Sequence, residues 1–386
     1  MGKIGSIYIS LFVYSRCAMF LSKDSSLKKI HCPSVSAIDL FCGAGGLTKG
    51  LVNAGIDVCL GIDCDPACEY PYTANNRAEF RLESVEKVEG KLLESYYPKN
   101  VVRLLAGCAP CQTFSTYYQK YVPQASEDDK RWSLLLQFSR LVNEIRPEVV
   151  TMENVPGLEK QPVFMEFVNS LKSMGYKVSH SIVHCEEYGI PQHRSRLVLL
   201  ASLLGNIRLL SPKDIRVRKR TVRQAIGKLP EIDAGTGDSK DPLHMSSELS
   251  PINLRRIRCS KPGGTWRDWP KNLVADCHKK KSGKTYPSVY GRMEWDKASP
   301  TITTQFFGFG NGRFGHPEQD RALSLREGAI LQSFPRRYRF SHPGEPICLK
   351  AIGRMIGNAV PVKLGEVIGK SIFAHIEFIN TQARSK

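Results

Sequence analysis

The run GCAPCQTFS at 107–115 sets Cys108 and Cys111 three positions apart, directly after an apolar, β-branched stretch. Three chemistries fit such a pair. It can be a thioredoxin-like redox pair, half of a zinc site, or a nucleophile, Cys111, beside a small buried cysteine. A zinc site needs a second ligand pair, and Cys64/Cys68 is more loosely spaced with no histidine near it. A redox pair usually opens a helix in a much smaller domain. The nucleophile reading leads, and no metal is expected. It needs partners, because the thiolate must be stabilised and the substrate needs an acid or hydrogen-bond donor for the charge that develops. Glu153 in MENVPG (152–157) and Gln192, Arg194 and Arg196 in PQHRSR (191–196) supply those types. Each has an ordinary alternative, Glu153 as a helix cap and the arginines as surface charge. Their appearance together, in one order, weakens it.

A second set reads as a nucleotide-binding turn. AIDLFCGAGGLTKGL at 37–51 places Gly43, Gly45 and Gly46 between a strand-like and a helix-like stretch, and Asp63 follows Gly43 by 20 residues. In Rossmann-like sites an acid at that distance accepts hydrogen bonds from ribose hydroxyls. Thr48 stands where GxGxxG has its third glycine, and the GKT at 283–285 lacks the upstream glycine of a P-loop, so a cofactor without a pyrophosphate is favoured. The alternative is a tight turn whose glycines serve packing alone.

These residues need a scaffold. Short β-branched runs at 36–41, 56–62, 101–106, 149–152, 177–184 and 197–201 alternate with amphipathic stretches at 45–54, 132–145 and 163–174. That alternation predicts an open α/β sheet with helices on both faces and chemistry at the carboxyl ends of its strands. Past residue 202 it stops. The 386-residue chain carries 55 Lys/Arg against 37 Asp/Glu, a formal charge of +18, and 211–296 alone holds 19 of the bases and 10 of the acids. About half of the excess charge therefore lies in one segment, which predicts a second domain facing a polyanion, nucleic acid above all. Trp266, Trp269, Tyr286, Tyr290 and Trp295 interleave with its bases, as on surfaces that stack nucleobases. The plain alternative is a solvated insertion.

Hydrophobic residues at 41% and charged residues at 24% exclude a disordered chain and a multi-span membrane protein. No run reaches the roughly 18 to 20 apolar residues that span a bilayer. The apolar run at 7–14 is followed by Arg16 and no small-x-small cleavage site, so 1–34 is read as an extension with no assigned role. Twelve cysteines, several inside apolar runs, fit a reducing, cytoplasmic setting.

In this order the motifs resemble the DNA cytosine-5 methyltransferase family, over residues 35 to about 370. The resemblance implies a Rossmann-like, S-adenosylmethionine-dependent methyltransferase fold with a smaller basic target-recognition domain. It divides the chain into a catalytic and cofactor-binding part (35–202), a target-recognition part (203–297) and a C-terminal part that returns to the catalytic domain (298–386). Asp39, Phe41, Gly43, Ala44, Gly45 and Gly46 match the cofactor turn, and Asp63 the ribose acid. Cys64 follows it where the family often has an aromatic or aliphatic residue. Pro110, Cys111 and Gln112 match the nucleophile motif, Glu153, Asn154 and Val155 the Glu-Asn-Val motif, and Gln192, Arg194 and Arg196 the Gln-x-Arg-x-Arg motif. SPTITT at 299–304 and GNAVP at 357–361 resemble the last two.

The roles carried over are catalytic for Cys111, Glu153, Arg194 and Arg196. Pro110, Asn358, Val360 and the turn residues would hold S-adenosylmethionine, with Glu83 or Ser84 at its adenine. Gln112, Ser115, Gln192 and Thr303 would contact DNA, and 116–131 would be the mobile loop behind the flipped base. Also implied are duplex DNA as partner, a monomeric enzyme, and either an orphan role or a restriction endonuclease acting on the same site without direct contact. A tRNA cytosine-5 methyltransferase of the same fold is the alternative.

Overall fold

Seven strands make one sheet in the order β3-β2-β1-β4-β5-β7-β6. They are β1 (Val35–Leu40), β2 (Asp57–Asp63), β3 (Glu79–Leu82), β4 (Val102–Gly107), β5 (Val149–Asn154), β6 (Lys177–His184) and β7 (Ser195–Ser202). The computed structural model describes residues 34–110 and 133–385. β1 to β5 run parallel, and β7 lies antiparallel to both β5 and β6. The carboxyl ends of β1, β2, β4, β5 and β6 and the amino end of β7 therefore share one edge.

Period-two alternation sends the strand side chains into two layers. Ile38, Leu40, Leu105, Val150, Met152, Leu197 and Leu199 face one cluster, where Phe138, Leu141 and Val142 of α3 (Ser133–Ile145) and Phe164, Phe167 and Leu171 of α4 (Pro162–Ser173) cover them. Ala37, Leu104, Ala106, Val149, Val198 and Leu200 face the other. There α1 (Gly46–Asn53) and the long α7 (Val362–Arg384) cover the sheet, α7 through Leu364, Val367, Ile368, Ile372 and Ile376 at helical spacing. The chain's last helix thus packs beside its first Rossmann helix.

Several elements lie outside the sequence expectation. β3 has only four residues, half exposed, so its EFRL carries little apolar signal, and α2 (Gly90–Tyr96) has only seven. The reversal of β7 is a difference in kind: residues 185–194, a short 3-10 helix at Cys185–Tyr188 that ends on Gly189 at φ 76° among them, join β6 to β7 with no crossover α-helix.

Residues 203–297 do not keep a core to themselves. Val222, Ala225, Ile226, Leu243 and Met293 share a cluster with Ile302, Phe306, Leu323, Phe334 and Tyr338 and with residues of α5 (Leu325–Leu331) and α6 (Leu349–Asn358). Ile257, Trp266, Trp269 and Leu273 pack with Phe309 and Ala322. Packing thus crosses the expected boundary at 297, and residues 33–386 form one compact unit. Trp266 and Trp269, expected as base-stacking surface, are instead buried. Trp266 stacks on His278 with ring centroids 4.3 Å apart, and both indole N–H groups are used, on the Tyr286 carbonyl and on Ser260 Oγ.

A buried ion pair holds the start of α5. Arg321 meets Glu327 at 2.7 Å, and Ser324 and Glu327 complete a capping box. Despite burial, Arg321 holds the Glu327 carboxyl at about 2, and burial lowers the nearby His316 to about 4. Both values lie below the ordinary ones, so the stability they contribute is present at neutral pH. It is lost as pH falls, for His316 from 6.5 through about 4 and for Glu327 from 4.5 through about 2. Arg321→Leu, which strands Glu327, should cost about 3–5 kcal/mol in urea melts at pH 7.

Candidate active site

β1 delivers Asp39 and then breaks. Phe41 takes φ 59° and Gly45 φ 85°, left-handed conformations that turn the chain before α1 begins at Gly46. The space where a Cβ would stand on Gly43 is open, whereas one on Gly46 would lie 2.4 Å from the Val360 carbonyl oxygen. GNAVP thus docks on the turn, with Val360 buried and Asn358 exposed. The Gly43 N–H donates to Asp63 Oδ2 at 2.8 Å and the Asp65 N–H to Oδ1 at 2.9 Å. Burial nevertheless raises the Asp63 carboxyl above its usual range. Cys64 is exposed beside it. The Glu83 N–H donates to the Asp63 carbonyl at 3.0 Å, while the Glu83 carboxylate pairs with Arg81 at 2.5 Å.

Asp39 is buried beneath the turn, where its Oδ2 accepts a hydrogen bond from Thr48 Oγ1 at 2.7 Å and its Oδ1 meets no donor among the described residues, and burial pushes its carboxyl up to about 7. Thr48 Oγ1 is also 3.2 Å from Tyr72 OH, so the missing third glycine is a buried hydroxyl that braces the turn. Tyr338 donates to the Ala44 carbonyl at 2.5 Å from the far end of the chain.

Glu153 and Asn154 close β5, both buried. Asn154 Nδ2 donates to the Ala109 carbonyl at 3.0 Å, which fixes the backbone two residues before Cys111. Arg196, on β7, brings Nε to 3.1 Å from Glu153 Oε1, an ion pair whose N–H is not aligned as a hydrogen bond. Burial raises the Glu153 carboxyl, opposed first by Arg196 and then by Arg194. The Cys108 N–H donates to the Leu40 carbonyl at 3.3 Å, and burial pushes its thiol well up. Cys108 is thus a packed, protonated neighbour of Glu153. Cys111, Gln112, Ser115 and the loop 116–131 lie outside the described residues. Pro110 and Thr303 are exposed.

Gln192 and Arg194 both lie inside the protein. Gln192, expected on DNA, is fully buried with its amide engaged inside the protein. It accepts from the Ile302 N–H at 2.9 Å and donates to Gln332 Oε1 at 2.9 Å and the Leu331 carbonyl at 3.2 Å. Arg194, expected in catalysis, spends its guanidinium on the carbonyls of Ile302 at 3.2 Å, Gly357 at 3.4 Å and Ala359 at 3.3 Å. Burial lowers it to about 9. These bonds tie SPTITT to GNAVP. Gln332 joins the same knot, donating to the Ile356 carbonyl at 2.8 Å. The sequence signal for Gln332 was a polar residue inside the apolar run GAILQSFP, which a buried hydrogen-bonding group explains. Gln332→Leu leaves several of these groups without partners and should cost about 2–4 kcal/mol in urea melts.

Residues 35–374 match the family described as C-5 cytosine-specific DNA methylase. The chain belongs to that family. Among similar proteins, the type II methylase M.HgiDII of Herpetosiphon aurantiacus is 53% identical over 90% of this chain and 98% of its own. The type II methyltransferase M1.BsuMI of Bacillus subtilis is 34% identical over 87% of this chain and 79% of its own. The solved structure of the Entamoeba histolytica methyltransferase EhMeth shares the fold, with a TM-score of 0.61 at 16% identity over 89% of this chain and 99% of its own. The fold is that of an α/β, Rossmann-like methyltransferase. Family membership makes S-adenosylmethionine the group to test against the site. Open space beside Gly43, a half-buried acceptor at Asp63 and an exposed Asn358 on the docked GNAVP loop fit its ribose and amino-acid end.

Proposed function

We propose that the protein methylates C5 of a cytosine flipped out of a specific duplex DNA sequence, using S-adenosylmethionine, as the modification enzyme of a type II restriction–modification system. The observation that carries this reading is Glu153: a buried carboxyl, raised by burial and paired with Arg196, next in sequence to Asn154, which ties down the Ala109 backbone two residues before Cys111. Cytosine C5 is too weak a nucleophile unaided. The Cys111 thiolate adds to C6, and Glu153 gives a hydrogen bond or proton to N3 as charge develops there. Arg196 holds Glu153 in place. S-adenosylmethionine supplies an electrophilic methyl group. After C5 is methylated, loss of its proton and departure of Cys111 restore the aromatic ring. A stacked base cannot present C6 to a thiolate, so flipping at a cost of a few kcal/mol precedes addition.

Asp63, Gly43, Asn358 and Val360 hold the cofactor in this reading, and Thr303, Gln112 and Ser115 face DNA. Residues 203–297 supply target recognition, 298–386 complete the catalytic body, and the enzyme works as a cytoplasmic monomer. The basic segment favours DNA over tRNA as substrate. Bisulfite sequencing of DNA from cells expressing the protein should show 5-methylcytosine at one short recurring sequence. Methyl transfer to total tRNA, with none to duplex DNA, would overturn the reading.

A further inference from the structure

The positive charge of 203–297 is unevenly spent. Arg223 pairs with Asp296 at 2.8 Å, Arg258 and Arg292 both meet Asp320, Lys279 pairs with Asp276, and Arg256 lies over the rings of Trp269 and Tyr290. Those cations hold the fold. Arg216, Arg218, Lys219 and Arg220, like several lysines of the segment, are exposed and meet no acid at ion-pair distance among the described residues, but these four fall within five consecutive positions. Asp214, the one acid in 211–220, is taken by Arg208 at 2.9 Å. Arg220 has a 3.3 Å bond to the Gln224 carbonyl, which leaves its charge uncompensated.

Their place in the fold is the second observation. β6 ends on the edge of the sheet that carries the candidate active site, and the turn after it reverses at Gly189. A Cβ there would lie 2.4 Å from Val217 Cγ1 and 3.1 Å from the Arg218 carbonyl oxygen. Residues 217 and 218 therefore pack on the turn that leads into Gln192–Arg196. A little further on, the Val222 N–H donates to the Lys297 carbonyl at 2.9 Å, and Ser299 bridges to Gln192. Residues 217–222 thus lie beside Gly189 and Lys297, on the segments that lead to Gln192–Arg196 and to Thr303.

We propose that Arg216, Arg218, Lys219 and Arg220 form a phosphate clamp for duplex DNA, setting affinity and leaving the choice of sequence to other parts of 203–297. The inference rests on the reading of the protein as a DNA methyltransferase. Cations on phosphates release counterions and carry no base information, so their loss should move the salt dependence of binding and not the sequence methylated.

The test uses the full chain and a fluorescent duplex containing the methylated sequence, with anisotropy read from 50 to 300 mM salt. For Arg216→Gln/Arg218→Gln/Lys219→Gln/Arg220→Gln, the slope of log Kd against log salt should fall by about 3, with Kd at 100 mM weakened about 10- to 100-fold. The bisulfite pattern should stay as in the wild type. The comparison variant Lys99→Gln/Lys172→Gln/Lys177→Gln removes exposed charge near the opposite edge of the sheet and should leave the slope within experimental error. An unchanged slope in the quadruple variant, an equal fall in the comparison variant, or a changed methylation sequence would each overturn the clamp. Wild-type protein that bound duplex DNA without salt dependence would overturn the functional reading with it. Wild-type protein that binds and methylates beside an unaffected quadruple variant would overturn the clamp alone.

Discussion

Glu153→Gln should slow methyl transfer by about 10²- to 10⁴-fold while leaving the protein at least as stable as the wild type. Burial raises the folded-state value of this carboxyl above its ordinary one, although Arg196 and Arg194 pull the other way. A raised value means that the protonated form suits the fold. The stability it contributes is full below the ordinary carboxylate range and is lost as pH rises through the folded value. Glutamine matches the protonated form in shape and charge, so the variant's gain in Tm over wild type should grow as pH rises above the ordinary carboxylate range. It can hydrogen-bond N3 but cannot deliver a proton there. Single-turnover rates with labelled cofactor and melting curves at several pH values check both halves. A variant with near-normal rate would remove Glu153 from proton transfer.

Cys111→Ser should abolish turnover, by at least about 10⁴-fold, and retain duplex binding within a few-fold. A free thiol near 8.5 is a few per cent thiolate at neutral pH and is intrinsically very nucleophilic, whereas a serine hydroxyl is scarcely ionised. Cys108 cannot substitute, since burial pushes its thiol well above the ordinary range and it packs against the core. Filter binding and methyl incorporation on the same preparation separate the two effects.

Local signals made much of this architecture legible. The strands at 36–41, 56–62, 101–106, 149–152, 177–184 and 197–201 each appear within two residues of the observed ones; β1, β4, β5 and β7 are buried on both faces and read as apolar runs, whereas the largely exposed edge strand β6 is marked by its β-branched residues. The Gly43–Asp63 spacing reads as a cofactor turn with its ribose acid, and the hydrogen bond between the two residues is a further contact that this reading does not include. Global packing was less visible. Gln192 and Arg194 are polar residues in a motif, and nothing local says whether such residues face a ligand or the interior. Their partners, at Ile302, Gln332, Gly357 and Ala359, lie more than a hundred residues away. The same holds for Asp39, whose burial depends on Thr48 and Tyr72. Trp266 and Trp269 misled because tryptophans among bases look alike whether they stack on nucleobases or close a small core, and only their indole hydrogen bonds distinguish the two.

The measurement that bears most directly on the mechanism is covalent trapping. Duplex DNA carrying 5-fluorocytosine in the recognised sequence, incubated with S-adenosylmethionine, offers a carbon that can be methylated but cannot release its substituent as a proton. Active wild-type protein should then form a one-to-one adduct that survives denaturing electrophoresis and maps to Cys111, and Cys111→Ser should form none. Active protein that yields no adduct would contradict attack by Cys111 on C6.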